Sequence, residues 1–418
     1  MGADTEPISI VTVGSKNCSP TSSSKSSKLS LDISIKTMSE SQRSNVKTEG
    51  EDTTDSEPSR KKDDSHLSLD EDEEMKQLAS AHLKNMSDPV GPGMKKSTSA
   101  EILNHYSQQP IHVRSRAEQW ELPRSEIQLN AKLGEGDGGV IYYAHWRGLD
   151  VVAKMLKTES DHGSTMDGAV ARADLINEIS VLSRLRHPNL VMFLGACTIK
   201  EPLIILNEYL SGGNLEDYLA SKRKERGGKP WQPPPKQVLR WSMELARALC
   251  FLHNCNPVVI HRDLKPANLL LNEDCHLKVG DFGLSKLKDL QKVAGTYRMT
   301  GKTGSMRYMA PEVFLDNPQY DEKVDIYSCG FIMWYITLGE RPFDKVPAQV
   351  VAEKASKNDL RPNLEPIIQV AGNEFASLIE QSWHKEPNLR PSASELVDKL
   401  EELQQQLQDT KKKKCIIM

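Results

Sequence analysis

His261-Arg262-Asp263-Leu264-Lys265-Pro266-Ala267-Asn268, followed by Asp281-Phe282-Gly283, is the stretch on which the fold of this 418-residue chain turns. Its meaning depends on what stands to either side. Upstream, Gly134-Glu135-Gly136-Asp137-Gly138-Gly139 falls between two segments of strand-like alternation. Glycines in such a turn let the backbone approach phosphates and aim N–H groups at them, although Gly-rich hairpin turns are common for other reasons. The run opens no helix and lacks a Gly-Lys-Ser/Thr ending, so it is neither a dinucleotide-binding turn nor a Walker loop. Beyond it, Val151-Val152-Ala153-Lys154 sets a lysine on an apolar strand. Glu178 lies mid-helix, four residues before Leu182 on the same face, so it points inward and requires a cation.

Together the Gly-rich loop, Lys154, Glu178, His261–Asn268, Asp281–Gly283 and Ala310-Pro311-Glu312 occur in the order and spacing of one family. From about 120 to 405 the chain is similar to the eukaryotic protein kinase domain. The resemblance implies an α+β fold of two lobes: a small β-rich N-lobe (about 120–208) and a larger α-helical C-lobe (about 209–405). It also implies ATP and Mg²⁺ as cofactors, with Mn²⁺ as an alternative, and a protein substrate. Phosphoryl transfer depends on positioning and charge neutralisation more than on covalent help. By resemblance Lys154 binds the α/β-phosphates and is held by Glu178, while Asn268 and Asp281 hold the metal. Asp263 orients the substrate hydroxyl and takes its proton, and Lys265 meets the transferring phosphate. The ATP site implied in this way comprises Leu133, Gly134, Gly136, Gly139, Ile141, Ala153, Lys154, Glu178, Glu208 and Leu210.

Lys265 in His-Arg-Asp-Leu-Lys-Pro, with Ser305 five residues before Ala310, resembles serine/threonine enzymes rather than tyrosine kinases. Trp120-Glu121-Leu122-Pro123, His145-Trp146-Arg147-Gly148, Leu185-Arg186-His187-Pro188-Asn189 and the segment from Gly304 to Glu312 are similar to the tyrosine-kinase-like group, which includes Raf, mixed-lineage and many plant kinases. Leu182, Phe193, His261 and Phe282 are expected to stack as an apolar spine. Asp325 should brace the catalytic loop, and Glu312 should pair with Arg390. Two residues depart from the pattern. Gly138 replaces an aromatic at the loop tip, and the polar Asn207 occupies the position beside the adenine pocket. Gly138 alone supports the rival reading, a nucleotide-binding scaffold without transferase activity. Arg262 implies control by phosphate in the activation loop, with Thr296, Thr300 and Thr303 as candidates.

Around these motifs, strand-like alternation is expected at Ile127–Leu133, Val140–Trp146 and Val151–Leu156, with an apolar strand at Leu203–Leu210. Helices are expected from Ala169 to Leu185, Val238 to His253, Val324 to Leu338, Glu374 to Trp383 and Ala393 to Leu407. Lys222 to Pro235 reads as a basic surface loop. The first hundred residues contain no Phe, Trp or Tyr, twenty-one Ser and an acidic run, Asp70 to Glu74. So little apolar surface cannot offset the entropy of ordering, and residues 1 to about 115 are expected to be disordered.

Over the whole chain 54 basic residues face 58 acidic ones, a net of −4, too balanced for a nucleic-acid binder. Seven unpatterned Cys argue for a reducing compartment. No secretory signal pattern is expected from the N-terminus, and no apolar run reaches membrane-spanning length. Residues 406–418 form a basic tail that ends in Lys411-Lys412-Lys413-Lys414-Cys415-Ile416-Ile417-Met418. This reads as a C-a-a-X box with Cys415 as the prenylation site, Met418 favouring farnesyl. One prenyl chain binds bilayers marginally, so Lys411–Lys414 would supply the second contact to an anionic membrane surface. The expected location is the cytoplasm, at the cytoplasmic face of a membrane.

Overall fold

The computed structural model of the chain describes residues 109–136, 139–157, 165–287, 304–315 and 320–417. Five antiparallel strands form one sheet in the order β1-β2-β3-β5-β4: β1 (Ile127–Gly136), β2 (Gly139–Trp146), β3 (Leu149–Met155), β4 (Phe193–Cys197) and β5 (Ile204–Glu208). β2 passes into β3 through Arg147 and Gly148, both at positive φ (48° and 79°), with Trp146 opposite Leu149. Such a two-residue turn matches the twist of the strands it joins. One sheet face buries Val151, Ala153, Ile204 and Leu206 in a small separate cluster. The other shares its core with the helices.

Before the sheet stands α1 (Ile111–Ala117); α2 (Thr165–Leu182) links β3 to β4. Leu175, Ile179 and Leu182 of α2 lie in the same apolar cluster as Phe193, Ile205 and the interior of the second lobe. That lobe begins with α3 (Leu215–Glu225), capped by Asn214, whose Oδ1 accepts the Asp217 N–H at 2.8 Å. α4 (Pro235–His253) buries Trp241, Leu245, Leu249 and Leu252 at helical spacing. Two small two-stranded sheets follow, β6 (Val259–Ile260) with β9 (Lys286–Leu287) and β7 (Leu269–Leu271) with β8 (Leu277–Val279). The remaining helices are α5 (Pro311–Phe314), α6 (Lys323–Leu338), α7 (Ala348–Lys357), α8 (Glu365–Ala371), α9 (Asn373–Ser382) and α10 (Ala393–Ile417). Every residue of α6 from Val324 to Leu338 is buried, which makes it the axis of the lobe. Gly339 ends it at φ 66°, where a Cβ would lie 2.0 Å from the Trp231 carbonyl oxygen.

The bilobal α+β expectation therefore holds, with differences at its edges. α1 overlaps the segment expected to be disordered to about 115, and it is ordered because Ile111, Arg114 and Ser115 are buried. The expected loop from Lys222 to Pro235 is shorter, because Lys222–Glu225 complete α3 and Pro235 opens α4. α2 stops at Leu182 rather than Leu185, and α10 continues as helix well past Leu407. Among the described residues no helix is long and apolar enough to cross a membrane.

Candidate active site

The cleft is built where the five-stranded sheet meets the two small sheets of the second lobe. β3 carries Lys154 and α2 carries Glu178, and the Lys154 Nζ lies 2.6 Å from the Glu178 Oε2. From the opposite lobe Asp281 approaches the same ammonium at 3.2 Å. Burial alone would depress the Lys154 pKa, but the carboxylates of Asp281 and Glu178 outweigh it and hold the ammonium above its ordinary value. Lys154 in turn pulls the Asp281 carboxyl down to about 2. Both groups are therefore ionised at neutral pH. Asp281 is held at φ 61° and Arg262 at φ 69°, backbone conformations that non-glycine residues adopt only when their surroundings impose them.

The surroundings here are specific. Asp325, at the start of α6, accepts the main-chain N–H groups of His261 and Arg262, each at 2.8 Å, and lies 3.0 Å from His253 Nε2. Burial pushes its carboxyl upward, yet the His253 bond and its other partners leave it below the usual range. His261 Nε2 donates to the Gly280 carbonyl at 3.0 Å, which ties the catalytic loop to the residue before Asp281. Asp263 stands at the centre of a polar network. Its Oδ2 receives Lys265 Nζ at 2.7 Å and Asn268 Nδ2 at 3.1 Å, and Lys265 also reaches the Ser305 Oγ at 2.9 Å. With its amide nitrogen committed to Asp263, Asn268 keeps its amide oxygen for another partner. That oxygen and the Asp281 carboxylate are hard donors of the kind Mg²⁺ takes, and Mg²⁺ completes its shell with water and substrate phosphate oxygens. The donor set fits that ion.

Several of the residues expected at the nucleotide lie along one face of the sheet. Ile141 stands opposite both Gly134 on β1 and Lys154 on β3, and Leu133 is half exposed beside them. Gly139 sits at φ 132°, and a Cβ there would lie 2.3 Å from the Met155 carbonyl oxygen. Glu208 spends its carboxylate on Met192 N–H at 2.7 Å and on Lys278 at 2.6 Å, and its own main-chain N–H on the Met192 carbonyl at 3.0 Å. Leu210, just beyond it, is buried. Gly136 ends β1; its surroundings, Gly138, and Thr296, Thr300 and Thr303 lie outside what is described.

Ala153 is a correction. It is fully buried with Val151 in the cluster on the far sheet face, because side chains alternate along a strand. Val152, two residues before Lys154, takes the cleft side instead, opposite Asn207 on β5. Asn207 Oδ1 is buried and has no hydrogen-bond partner among the described residues.

The scaffold expectations are met. Leu182, Phe193 and Phe282 share one buried cluster, and the fully buried His261 adjoins it with its ring centroid 4.9 Å from that of Phe282. Glu312 and Arg390 form a two-pronged pair at 2.6 and 2.9 Å. Trp120 meets Phe193 edge-on at 5.8 Å, inside the small lobe. One residue was not anticipated. Asn177, beside Glu178, donates its amide to the carbonyls of Gly283 (3.1 Å) and Ser285 (3.0 Å), so α2 grips the Asp281 segment directly. An Asn mid-helix next to the inward Glu is the only sequence signal for it.

Comparison with known proteins agrees with this geometry. The family described as protein tyrosine and serine/threonine kinase matches residues 127–400. Serine/threonine-protein kinase VIK of Arabidopsis thaliana is 39% identical over 294 residues, 69% of this chain and 63% of VIK. Serine/threonine-protein kinase CTR1 of the same plant is 35% identical over 288 residues, 68% of this chain and 32% of CTR1. Serine/threonine/tyrosine-protein kinase HT1, also from Arabidopsis, is 35% identical over 285 residues, 68% of each chain. The chain thus spans less than two thirds of the length of VIK and about a third of that of CTR1.

Proposed function

The chain belongs to the protein tyrosine and serine/threonine kinase family, and from that premise we propose that it is an active serine/threonine protein kinase, moving the γ-phosphate of ATP to protein hydroxyls in intracellular signalling. The observation that carries this reading is the pairing of Lys154 with both Glu178 and Asp281 across the cleft, 2.6 and 3.2 Å away. It presents one cation to the nucleotide phosphates and one carboxylate to the metal. Mg²⁺ held by Asp281 and Asn268 would neutralise charge on the phosphates. Asp263 orients the attacking hydroxyl and accepts its proton. Lys265, bridging Asp263 and Ser305, faces the transferring phosphoryl group and offsets charge that develops there. The Ser/Thr assignment is supported by Lys265 and Ser305 and by the names of the relatives. Labelled ATP and Mg²⁺ supplied to the full chain, with Asp281→Ala as control, test it. Phosphoserine or phosphothreonine that disappears in the variant is expected. Nucleotide binding without transfer, or phosphotyrosine alone, refutes it.

Two finer points belong to the same proposal. Arg262 donates to the Leu284 carbonyl at 2.6 Å and to Tyr320 Oη at 2.9 Å, so its guanidinium touches the start of the activation loop. Phosphate on Thr296, Thr300 or Thr303 would engage it and raise activity; full activity in the triple Ala variant removes that point. Attachment to an anionic membrane surface through prenylated Cys415 and Lys411–Lys414 is the other. Membrane fractionation unchanged by Cys415→Ser removes it.

A further inference from the structure

Residues 109–126 lie outside the segment matched by the kinase family, yet they are built into its active geometry. Arg114 on α1 is 3% exposed, an uncommon setting for a cation. Its Nη1 donates to the Ser180 Oγ on α2 at 2.9 Å, and its Nε reaches Glu118 at 3.4 Å, while Nη2 is buried without a partner among the described residues. Ser180 is two residues from Glu178. On a helix that spacing turns the two side chains to nearly opposite faces, so a grip on Ser180 from behind sets how far Glu178 reaches in front. The chain then leaves α2 and clasps the edge of the sheet. Ser115 meets the Thr198 hydroxyl at 2.9 Å, and the Trp120 carbonyl and Leu122 N–H pair with Ala196 of β4. α1 and the segment after it therefore form a strap from the back of α2 to strand β4.

We infer that Arg114 is a positioning residue for the phosphoryl-transfer reaction: through Ser180 it fixes α2 so that Glu178 meets Lys154. A buried charge with an unmet N–H is costly as mere glue between two helices. It has a purpose if what it holds must not drift. The inference rests on the kinase activity proposed above, and the two can fail separately. Absence of transfer by the wild-type chain would defeat the activity, whereas an indifferent Arg114 would defeat only the strap.

The test uses the full chain. Arg114→Ala should lower kcat/KM for ATP about tenfold, the scale of losing one charged hydrogen bond. Ser180→Ala should lower it less, and the double variant should be no worse than Arg114→Ala, because both act through one contact. In a Glu178→Gln background Arg114→Ala should have no effect, since the partner it positions is gone. Activity of Arg114→Ala equal to wild type, or the same loss persisting with Glu178→Gln, overturns the inference. Should Arg114→Ala fail to fold, Ser180→Ala with and without Glu178→Gln decides by the same criterion.

Discussion

Arg390 uses all five of its N–H donors, and that count makes the consequence of removing Glu312 predictable. Nε donates to His384 O at 2.8 Å; Nη1 donates to Glu312 Oε1 at 2.6 Å and Lys323 O at 2.9 Å; Nη2 donates to Glu312 Oε2 at 2.9 Å and Lys385 O at 3.1 Å. The guanidinium is fully buried and lies 5.0 Å from the centre of the Tyr327 ring. Glu312→Leu strips it of its counterion and of two acceptors while the cation stays in place. Breaking a buried pair from one side costs about 3–5 kcal/mol. In a domain of this size that lowers the melting temperature by about 10 °C. Removing both charges, as in Glu312→Leu with Arg390→Met, leaves three carbonyls short of a donor but no naked charge, and should recover most of the loss. Thermal unfolding of wild type and the three variants checks it. A Glu312→Leu protein within about 1 kcal/mol of wild type, or a double variant as unstable as the sum of the singles, refutes the reasoning.

Three further outcomes are expected. Gly139→Ala forces a Cβ against the Met155 carbonyl at φ 132°, so it should distort the loop and weaken ATP binding at least severalfold in a nucleotide titration. Asn177→Ala removes two hydrogen bonds between α2 and the Asp281 segment, worth about 1 kcal/mol each; the Mg²⁺ concentration for half-maximal activity should rise while the Lys154–Glu178 pair is untouched. Asp281 has a folded-state pKa lowered to about 2 by Lys154, so its stabilising contribution is complete above the ordinary carboxylate range and is lost as pH falls toward 2. The difference in melting temperature between wild type and Asp281→Asn should hold steady from pH 6 to 8 and shrink below pH 4 or so.

The catalytic cleft was legible because its chemistry needs particular residue types in a particular order. Lys154, Glu178, Asp263, Asn268 and Asp281 are charged or polar groups set in apolar runs, a pattern burial alone does not produce. What was not legible has physical reasons. Val151-Val152-Ala153 is apolar throughout, so hydrophobicity marks neither face, and only the two-residue alternation counted from Lys154 sets Val152, not Ala153, on the cleft side. β4 is as apolar as the segments around it, and no alternation marks it out. α1 is short, and much of what anchors it is polar, Arg114 on Ser180 and Ser115 on Thr198. Hydrophobic periodicity cannot register contacts of that kind. Asn177 is invisible for the same reason: its two acceptors are main-chain carbonyls more than a hundred residues away.

The length of α10 has a mechanical meaning. Among the residues whose burial is described, Leu403 is the last hydrophobic one of α10 to pack against the core, and the helix then runs on to Ile417. At 1.5 Å per residue that is a rod of about 20 Å. A random coil of the same length would shrink and swell, and its ends would wander. A helical rod instead holds a set distance between the catalytic lobe and whatever its end is fastened to. If that anchor is a lipid surface, the cleft works at a constant height above it, and substrates would be sorted by how far they stand from the bilayer.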